Sequence, residues 1–417
     1  CIDYALEQNI TIRKNRVTAE STQIDVKTAK AALFPSLSFS TSQQVVNRPY
    51  QETSSRVSGS EIISSNSKTS YNGNYGLNAS WTLYNGNKRL KTIQQEKLNN
   101  QVAELDVATS ENNIQESIAQ VYIQILYAAE SVKVNESTLQ VSIAQRDRGQ
   151  ELLNAGSIAK SDFAQLEAQV STDRYQLVTA QATLEDYKLQ LKQLLELDGE
   201  NEMNIYLPAL SDENVLAPLP TKKDVYIRAL SLRPEIEASK LNVEASELGI
   251  GIAKSSYLPT ISLSAGIGTN HTSGSDFTFG EQVKNGWNNS IGLSVSVPIF
   301  NNRQTKSAVQ KAKLQYETSM LSLLDEQKTL YKTIEGLWLD ANSAQQRYAA
   351  ANEKLKSTQI SYELISEQFN LGMKNTIELL TEKNNLLQAQ QEQLQAKYMA
   401  ILNMQLLKFY QGDQLAI

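Results

Sequence analysis

The chain has 417 residues, with 39 Lys and Arg against 45 Asp and Glu, giving a formal charge of −6. A mildly acidic chain lacks the basic excess of a phosphate-binding face, which argues against nucleic acid as a partner. One cysteine, Cys1, and one histidine, His271, leave no intrachain disulfide, no Cys-based metal cluster and little material for triads or zinc sites.

The chain opens in helical pattern at Cys1-Ile-Asp-Tyr-Ala-Leu. Cys1 is therefore taken as a truncation point inside a first helix, with a lipidated N-terminus as the alternative. A strand follows, in which Leu37, Phe39, Thr41 and Val45 alternate with Ser38, Ser40, Ser42 and Gln44. After a Ser- and Asn-rich loop from Asn47 to Asn72, a second strand sets Tyr75, Leu77, Ala79, Trp81 and Leu83 against Asn74, Gly76, Asn78, Ser80 and Thr82. Period-two alternation gives one apolar and one polar face.

From Asn87 to Asn154 there is no proline and one glycine, Gly149. At 1.5 Å per residue this predicts about 100 Å of helix. A tight turn, Asn154-Ala155-Gly156-Ser157-Ile158-Ala159-Lys160-Ser161-Asp162, leads to a second long helix with the seam Phe163, Leu166, Val170, Leu177, Leu184, Tyr187, Leu191 and Leu194. The stretch from Asp198 to Lys223, with Gly199, Pro208, Pro218 and Pro220, reads as an ordered linker strapped to the outside of something larger.

The pattern then repeats. Phe34-Pro35-Ser36-Leu37-Ser38 returns 224 residues later as Leu258-Pro259-Thr260-Ile261-Ser262. Gly76-Leu77 returns 216 residues later as Gly292-Leu293, and Asn154-Ala155-Gly156 returns at the same offset as Asn370-Leu371-Gly372. The third strand sets Ile261, Leu263, Ala265 and Ile267 against Ser262, Ser264 and Gly266. A solvated loop from Gly268 to Gly286 carries His271, read as a loop residue. The fourth strand sets Ile291, Leu293, Val295, Val297 and Ile299 against Gly292, Ser294, Ser296 and Pro298. The last long helical pair has the seam Val309, Lys313, Tyr316, Met320, Leu323, Gln327, Leu330, Ile334, Leu337 and Ala341. Such 3–4 spacing implies coiled-coil packing, and Trp338 beside this seam is read as packing. The domain reading is two repeats. Residues 1–218 hold a helix, a β-hairpin at 36–84, a helical hairpin at 87–197 and the linker. Residues 219–417 hold a helix, a β-hairpin at 260–300 and a helical hairpin at 303–410.

No run of 18 or more apolar residues exists, so any membrane must be crossed by strands. Strands of about ten residues have the length a tilted bilayer-crossing strand needs. Tyr84, Tyr257, Trp287 and Phe300 stand at strand ends, as an interfacial girdle would. The membrane-facing set is Leu37, Phe39, Leu77, Trp81, Leu263, Ile267, Leu293 and Val295. Four strands cannot close a barrel, and open edges in lipid leave backbone groups unpaired. Three copies supply twelve strands, so a homotrimer in outer-membrane lipid is expected. A soluble sandwich is the competing reading of the strands, and a soluble coiled-coil scaffold or surface adhesin that of the helices.

The Phe34-Pro35-Ser36-Leu37-Ser38 segment with its echo at Leu258-Pro259, and the two Asn-x-Gly helix turns, resemble the outer-membrane efflux (TolC-like) family over essentially the whole chain. Ile10 stands where the second half has Pro234 of that family's helix-one pattern. The resemblance implies a mixed fold: a trimeric 12-stranded transmembrane β-barrel, four strands per chain, continued by a 12-helix α-barrel crossing the periplasm. It further implies a passive exit duct of a tripartite efflux or type I secretion system in the cell outer membrane. Its partners would be a periplasmic adaptor and an inner-membrane pump.

The same resemblance puts adaptor docking at the tips, Asn154, Gly156, Ser157, Asn370, Gly372 and Met373. It puts the gate at Phe369, Lys374, Glu378 and Thr381, with Asp162 and Glu378 as acidic rings and Lys374 closing onto Asp162 of a neighbouring hairpin. The plain roles of these residues are a left-handed C′ position for Gly156 and Gly372 and helix capping for Asp162 and Glu378. No nucleophile, metal cluster or phosphate loop stands out. The expectation is no enzyme activity and no cofactor.

Overall fold

A computed structural model of the chain describes every residue except 51–53, 59–60, 66–67, 199–204, 207, 209–214 and 416–417. Between 51 and 67 it describes only strand backbone. Prolines set the strand starts. Pro35 and Pro259, which hold the preceding residue out of helix, stand directly before β1 (Ser36–Asn47) and β5 (Thr260–Thr272). β2 (Ser54–Ser58) and β3 (Glu61–Ser65) pair with each other, and β4 (Thr69–Asn85) and β6 (Asn288–Ser296) complete the set. The main sheet is antiparallel throughout, in the order β1-β4-β5-β6. The two sequence halves are thus joined at β4 and β5, because each half offers a strand edge that the other satisfies.

The long helices follow the absence of breakers. α3 (Lys88–Asn154) and α8 (Gln304–Asn370) each have 67 residues, and α4 (Lys160–Leu194) and α9 (Thr376–Tyr410) each have 35. All four boundaries of α8 and α9 lie 216 residues after those of α3 and α4. The paired shorter helices are α1 (Ile2–Gln8) with α2 (Ile10–Ala31), and α5 (Lys222–Leu232) with α6 (Pro234–Ser255). Asn9 breaks the first pair. Its amide donates to the Leu194 carbonyl at 3.1 Å while its Oδ1 accepts from Thr11 N at 2.9 Å. At both strand-to-helix junctions two consecutive residues adopt positive φ: Gly86 and Asn87 (68° and 63°), and Asn302 and Arg303 (51° and 65°). Two left-handed residues in succession turn the chain sharply just before each long helix, which follows β4 after two residues and β6 after seven.

Two compact units result, and neither coincides with a sequence half. The helical unit comprises Cys1–Ala19, Ala103–Ser239 and Ser322–Ile417, and the strand-bearing unit comprises Glu20–Val102 and Lys240–Leu321. In the helical unit, Ile123, Leu126, Tyr398, Ile401 and Leu406 form one buried cluster with Val215 of the linker. The described part of that linker is strapped down by side chains. Gln345 donates to the carbonyls of Val215 (2.9 Å) and Ala217 (2.7 Å), and Trp338 Nε1 donates to that of Pro220 (2.9 Å). Gly199 lies outside the described residues. Leu330, Ile334 and Ala341 of the α8 seam are buried, whereas Met320 at the seam's other end is exposed in the single chain.

Three sequence expectations are corrected. β6 stops at Ser296, so Val297 and Ile299 are not strand residues. Their partner strand starts only at Thr260, opposite Ser296, and Pro298 has no N–H to continue a ladder. Leu83 leaves the apolar row because a bulge between Thr82 and Tyr84 puts Tyr84, not Leu83, opposite Ile261. The loop from Gly268 to Gly286 is largely ordered: β5 runs to Thr272, and α7 (Phe279–Asn285) fills its second half.

Candidate functional site

The helix turns are built by the same device twice. Gly156 (φ 72°) donates to Leu153 O at 3.0 Å, and Ser157 N donates to Leu152 O at 2.8 Å. Gly372 (φ 73°) donates to Phe369 O and Met373 N to Gln368 O, both at 2.9 Å. This 6→1 and 5→2 pairing closes a helix end and requires a left-handed residue, which glycine supplies without steric penalty. Gly149 has a different role. A Cβ there would lie 2.4 Å from Leu166 Cδ1, so its bare backbone is what lets α4 pack close to α3.

Each return helix is then capped by the acidic residue singled out in the sequence. Asp162 accepts from the Ala159 N–H at 3.2 Å. Glu378 accepts from the Asn375 N–H at 3.2 Å while Asn375 Oδ1 accepts from Glu378 N at 2.9 Å, a reciprocal capping box. Lys374 lies 2.6 Å from Glu378, so within the chain it pairs with its own helix start and not with Asp162. That contact, with the Asn375 N–H, holds the Glu378 carboxyl below its ordinary range. Phe369 is buried, Thr381 Oγ1 donates back to Ile377 O, and Asn154 accepts from Gln150. Ser157, Asn370 and Met373 are exposed.

Two buried polar clusters in the helical unit escaped the sequence reading. Lys383 (3% exposed) on α9 donates to both Ser142 of α3 and Asp173 of α4 (1% exposed). Gln169 donates to the other Asp173 oxygen at 2.9 Å. Burial pushes the Lys383 amine below its ordinary range, against the opposing pull of Asp173. The signal was present: the seam from Val170 to Leu177 skips one 3–4 step that Asp173 fills, and Lys383 follows Thr376 and Leu379 at the same spacing. In the second cluster Arg233 is buried between Glu116 (3.1 Å) and Glu235 (2.8 Å), with its guanidinium 4.2 Å from the Tyr410 ring centre. Burial raises the Glu116 carboxyl despite Arg233. Among the described residues no group of three His, Cys, Asp or Glu side chains is arranged to hold a metal ion.

In the strand-bearing unit, residues paired across the ladder share a face. One face carries the rows Phe39–Leu77–Ile267–Asn289, Leu37–Ala79–Ala265–Ile291, Trp81–Leu263–Leu293 and Tyr84–Ile261–Val295. The opposite face carries Ser38–Asn78–Gly266–Ser290, Ser36–Ser80–Ser264–Gly292 and Thr82–Ser262–Ser294. All eight residues expected to face a membrane therefore fall on one side, and on the edge strands they are open: Leu37 is 70% and Leu293 64% exposed. Among the described residues, β1 and β6 each have one unpaired edge. His271 is not a loop residue. It lies in β5 opposite Gly73, half-buried among Tyr71, Tyr75 and Phe279 at ring-centre distances of 5.4, 5.9 and 5.1 Å.

The family model described as "Outer membrane efflux protein" matches residues 1–196 and 225–412. The outer membrane efflux protein BepC of Brucella suis biovar 1 (strain 1330) is 24% identical over 290 residues, 69% of this chain and 60% of BepC. The outer membrane protein TolC of Escherichia coli (strain K12) is 23% identical over 311 residues, 72% of this chain and 62% of TolC. The matched stretch thus spans about three fifths of the length of these relatives. Among solved structures, the chain is similar to CusC, with a TM-score of 0.83 at 19% identity, covering 99% of this chain and 91% of that one. It is also similar to VceC from Vibrio cholerae, with a TM-score of 0.80 at 16% identity, covering 100% and 96%. The fold is that of these outer-membrane proteins.

Proposed function

Since this chain belongs to the outer membrane efflux protein family, we propose that three copies form a passive exit duct, with a twelve-stranded barrel in the outer membrane and a twelve-helix tube in the periplasm. One observation carries the reading. A four-stranded sheet with one mostly apolar face, one Ser/Gly/Asn/Thr-rich face and, among the described residues, two unpaired edges can bury neither its apolar side nor its edges alone. Lipid takes the apolar face, two more copies take the edges, and the polar face lines a wet lumen. A soluble scaffold or adhesin leaves that apolar face in water. The equal lengths and constant 216-residue offset of the long helices support descent of the two halves, 1–218 and 219–417, from one duplicated unit.

The tube ends at the two glycine turns. Asn154, Gly156, Ser157, Asn370, Gly372 and Met373 present the docking tips for a periplasmic adaptor that delivers cargo from an inner-membrane pump. Asp162, Phe369, Lys374, Glu378 and Thr381 form the entrance, where three copies of each carboxylate favour cations. Efflux and type I secretion use the same duct. The polar face of the sheet carries mostly Ser, Gly, Asn and Thr, which offers little to select cargo, so selection falls to the pump.

The test is single-channel conductance in a planar bilayer. The wild-type protein is expected to conduct ions. Lys374→Glu places a second carboxylate beside Glu378 in each copy, and the resulting repulsion raises conductance. An unchanged Lys374→Glu conductance overturns the entrance assignment, and a wild-type protein without any conductance overturns the duct.

A further inference from the structure

The short helix α7 is attached to one particular side of the sheet. Thr269 Oγ1 donates to Val283 O at 2.7 Å, and the His271 ring meets Phe279 edge-on at 5.1 Å. Thr269 pairs with Tyr75 and His271 with Gly73, so both anchors belong to the apolar face. The helix is held rigidly there. Gln282 accepts from Thr272 N (2.8 Å) and donates to Phe277 O (2.9 Å), and Thr278 and Glu281 form a reciprocal capping box. A Cβ on Gly73 would lie 2.1 Å from His271 Cε1. Only glycine there lets the imidazole lie against the sheet under α7.

Above this base, three aromatic side chains remain largely exposed, although Phe279 also meets the His271 ring. Phe277 stands before α7, while Phe279 within it and Trp287 after it are each 57% exposed. Trp287 also continues the parity of Asn289, Ile291 and Leu293 on the apolar side. The height of the sheet says what meets them. From Ile261 to His271 is ten residues of β5, about 33 Å along the strand. A tilt of about 40° reduces this to about 25 Å, the height of the apolar band of an outer-membrane barrel. The far limit of that band is where α7 sits, at the end of the sheet opposite the strand-to-helix junctions.

We infer that α7 with Phe277 and Trp287 is a preformed cuff on the lipid side of the barrel, seated at the headgroup–acyl boundary of the outer leaflet. The inference rests on the barrel reading proposed above and adds to it a specific lipid-contacting element. Aromatic rings prefer this boundary because one part of it is apolar and the other wet. An element guarding the lumen would be attached to the Ser/Gly/Asn face, and α7 is attached to the other.

The chain's three tryptophans, Trp81, Trp287 and Trp338, provide the test. Trp81 is in the apolar rows near the opposite end of the sheet, its Nε1 donating to Leu33 O at 2.7 Å, and Trp338 belongs to the helical unit. Three single-tryptophan versions of the full chain, with the others changed to phenylalanine, are reconstituted in phosphatidylcholine vesicles carrying lipid brominated either near the carbonyl or near the chain end. Trp287 fluorescence is expected to be quenched well above the Trp338 baseline, and more by the shallow label than by the deep one. Quenching of Trp81 with none of Trp287 overturns the cuff and leaves the barrel standing. Quenching of neither overturns both, and stronger quenching of Trp287 by the deep label overturns its interfacial placement.

Discussion

Replacing Lys383 with methionine is expected to destabilise the helical unit by about 3–5 kcal/mol, because it leaves the Asp173 carboxylate buried without its partner. Asp173 is 1% exposed and Ser142 2% exposed, so water cannot replace the lost ammonium. The same physics makes the loss reversible. In Lys383→Met/Asp173→Leu/Ser142→Ala no charge or hydroxyl is left stranded, and three helices meet through apolar side chains of similar size. That triple variant is expected to return to within about 1 kcal/mol of the wild type or exceed it, since well-packed replacements of buried ion pairs are often neutral or stabilising. Loss of the helical circular dichroism signal in guanidinium, measured in detergent, reads both. A single variant as stable as the wild type would mean that the Lys383 contacts with Asp173 and Ser142 do not form. The cluster's value then lies in register: a lysine at one seam position of α9 accepts only the α3–α4 alignment that presents both Ser142 and Asp173.

The second large effect separates the two faces of the sheet. Leu293→Arg puts a guanidinium on the apolar face opposite Leu263, and Ser294→Arg puts the same group one residue along, opposite Ser262. If the apolar face meets lipid, Leu293→Arg costs about 2–4 kcal/mol and lowers the yield of folded, heat-resistant oligomer in membranes. Ser294→Arg points into the lumen and leaves folding close to wild type while altering ion selectivity. Equal effects of the two substitutions would mean that neither face is lipid-facing.

How much of this was legible beforehand depended on whether the signal was periodic. Alternation over β1, β4 and β5 exposed the two faces directly, since every polar position there except Val46 is Ser, Gly, Asn, Thr or Gln and most apolar ones are large. Helix lengths followed from the lack of proline between Asn87 and Asn154. The turns at Gly156 and Gly372 followed from a residue type that suits positive φ. Deviations from a period were invisible. The bulge at Leu83 and the stop at Ser296 depend on what the partner strand offers, and a partner's register is not written in the strand itself. His271 looked like a loop residue among Ser, Thr and Gly neighbours. Its place was decided by Gly73, nearly two hundred positions earlier in sequence.

The polar clusters show the same limit. Asp173 sits at a seam position that an apolar reading passes over, and Lys383 resembles any solvated helix lysine until α3 and α4 are brought against it. Within the chain Lys374 pairs with Glu378, one helical turn away. Side chains at i, i+4 are held within reach of each other by the helix itself.

The central claim is that four strands per chain require two further copies, and the mass of the detergent-solubilised full-length protein tests it most directly. Light scattering corrected for bound detergent is expected to give three times the mass of one chain, with no smaller folded species on dilution. A folded monomer or dimer with the same strand content would contradict the account, since its β1 or β6 edge would then lie open in the membrane.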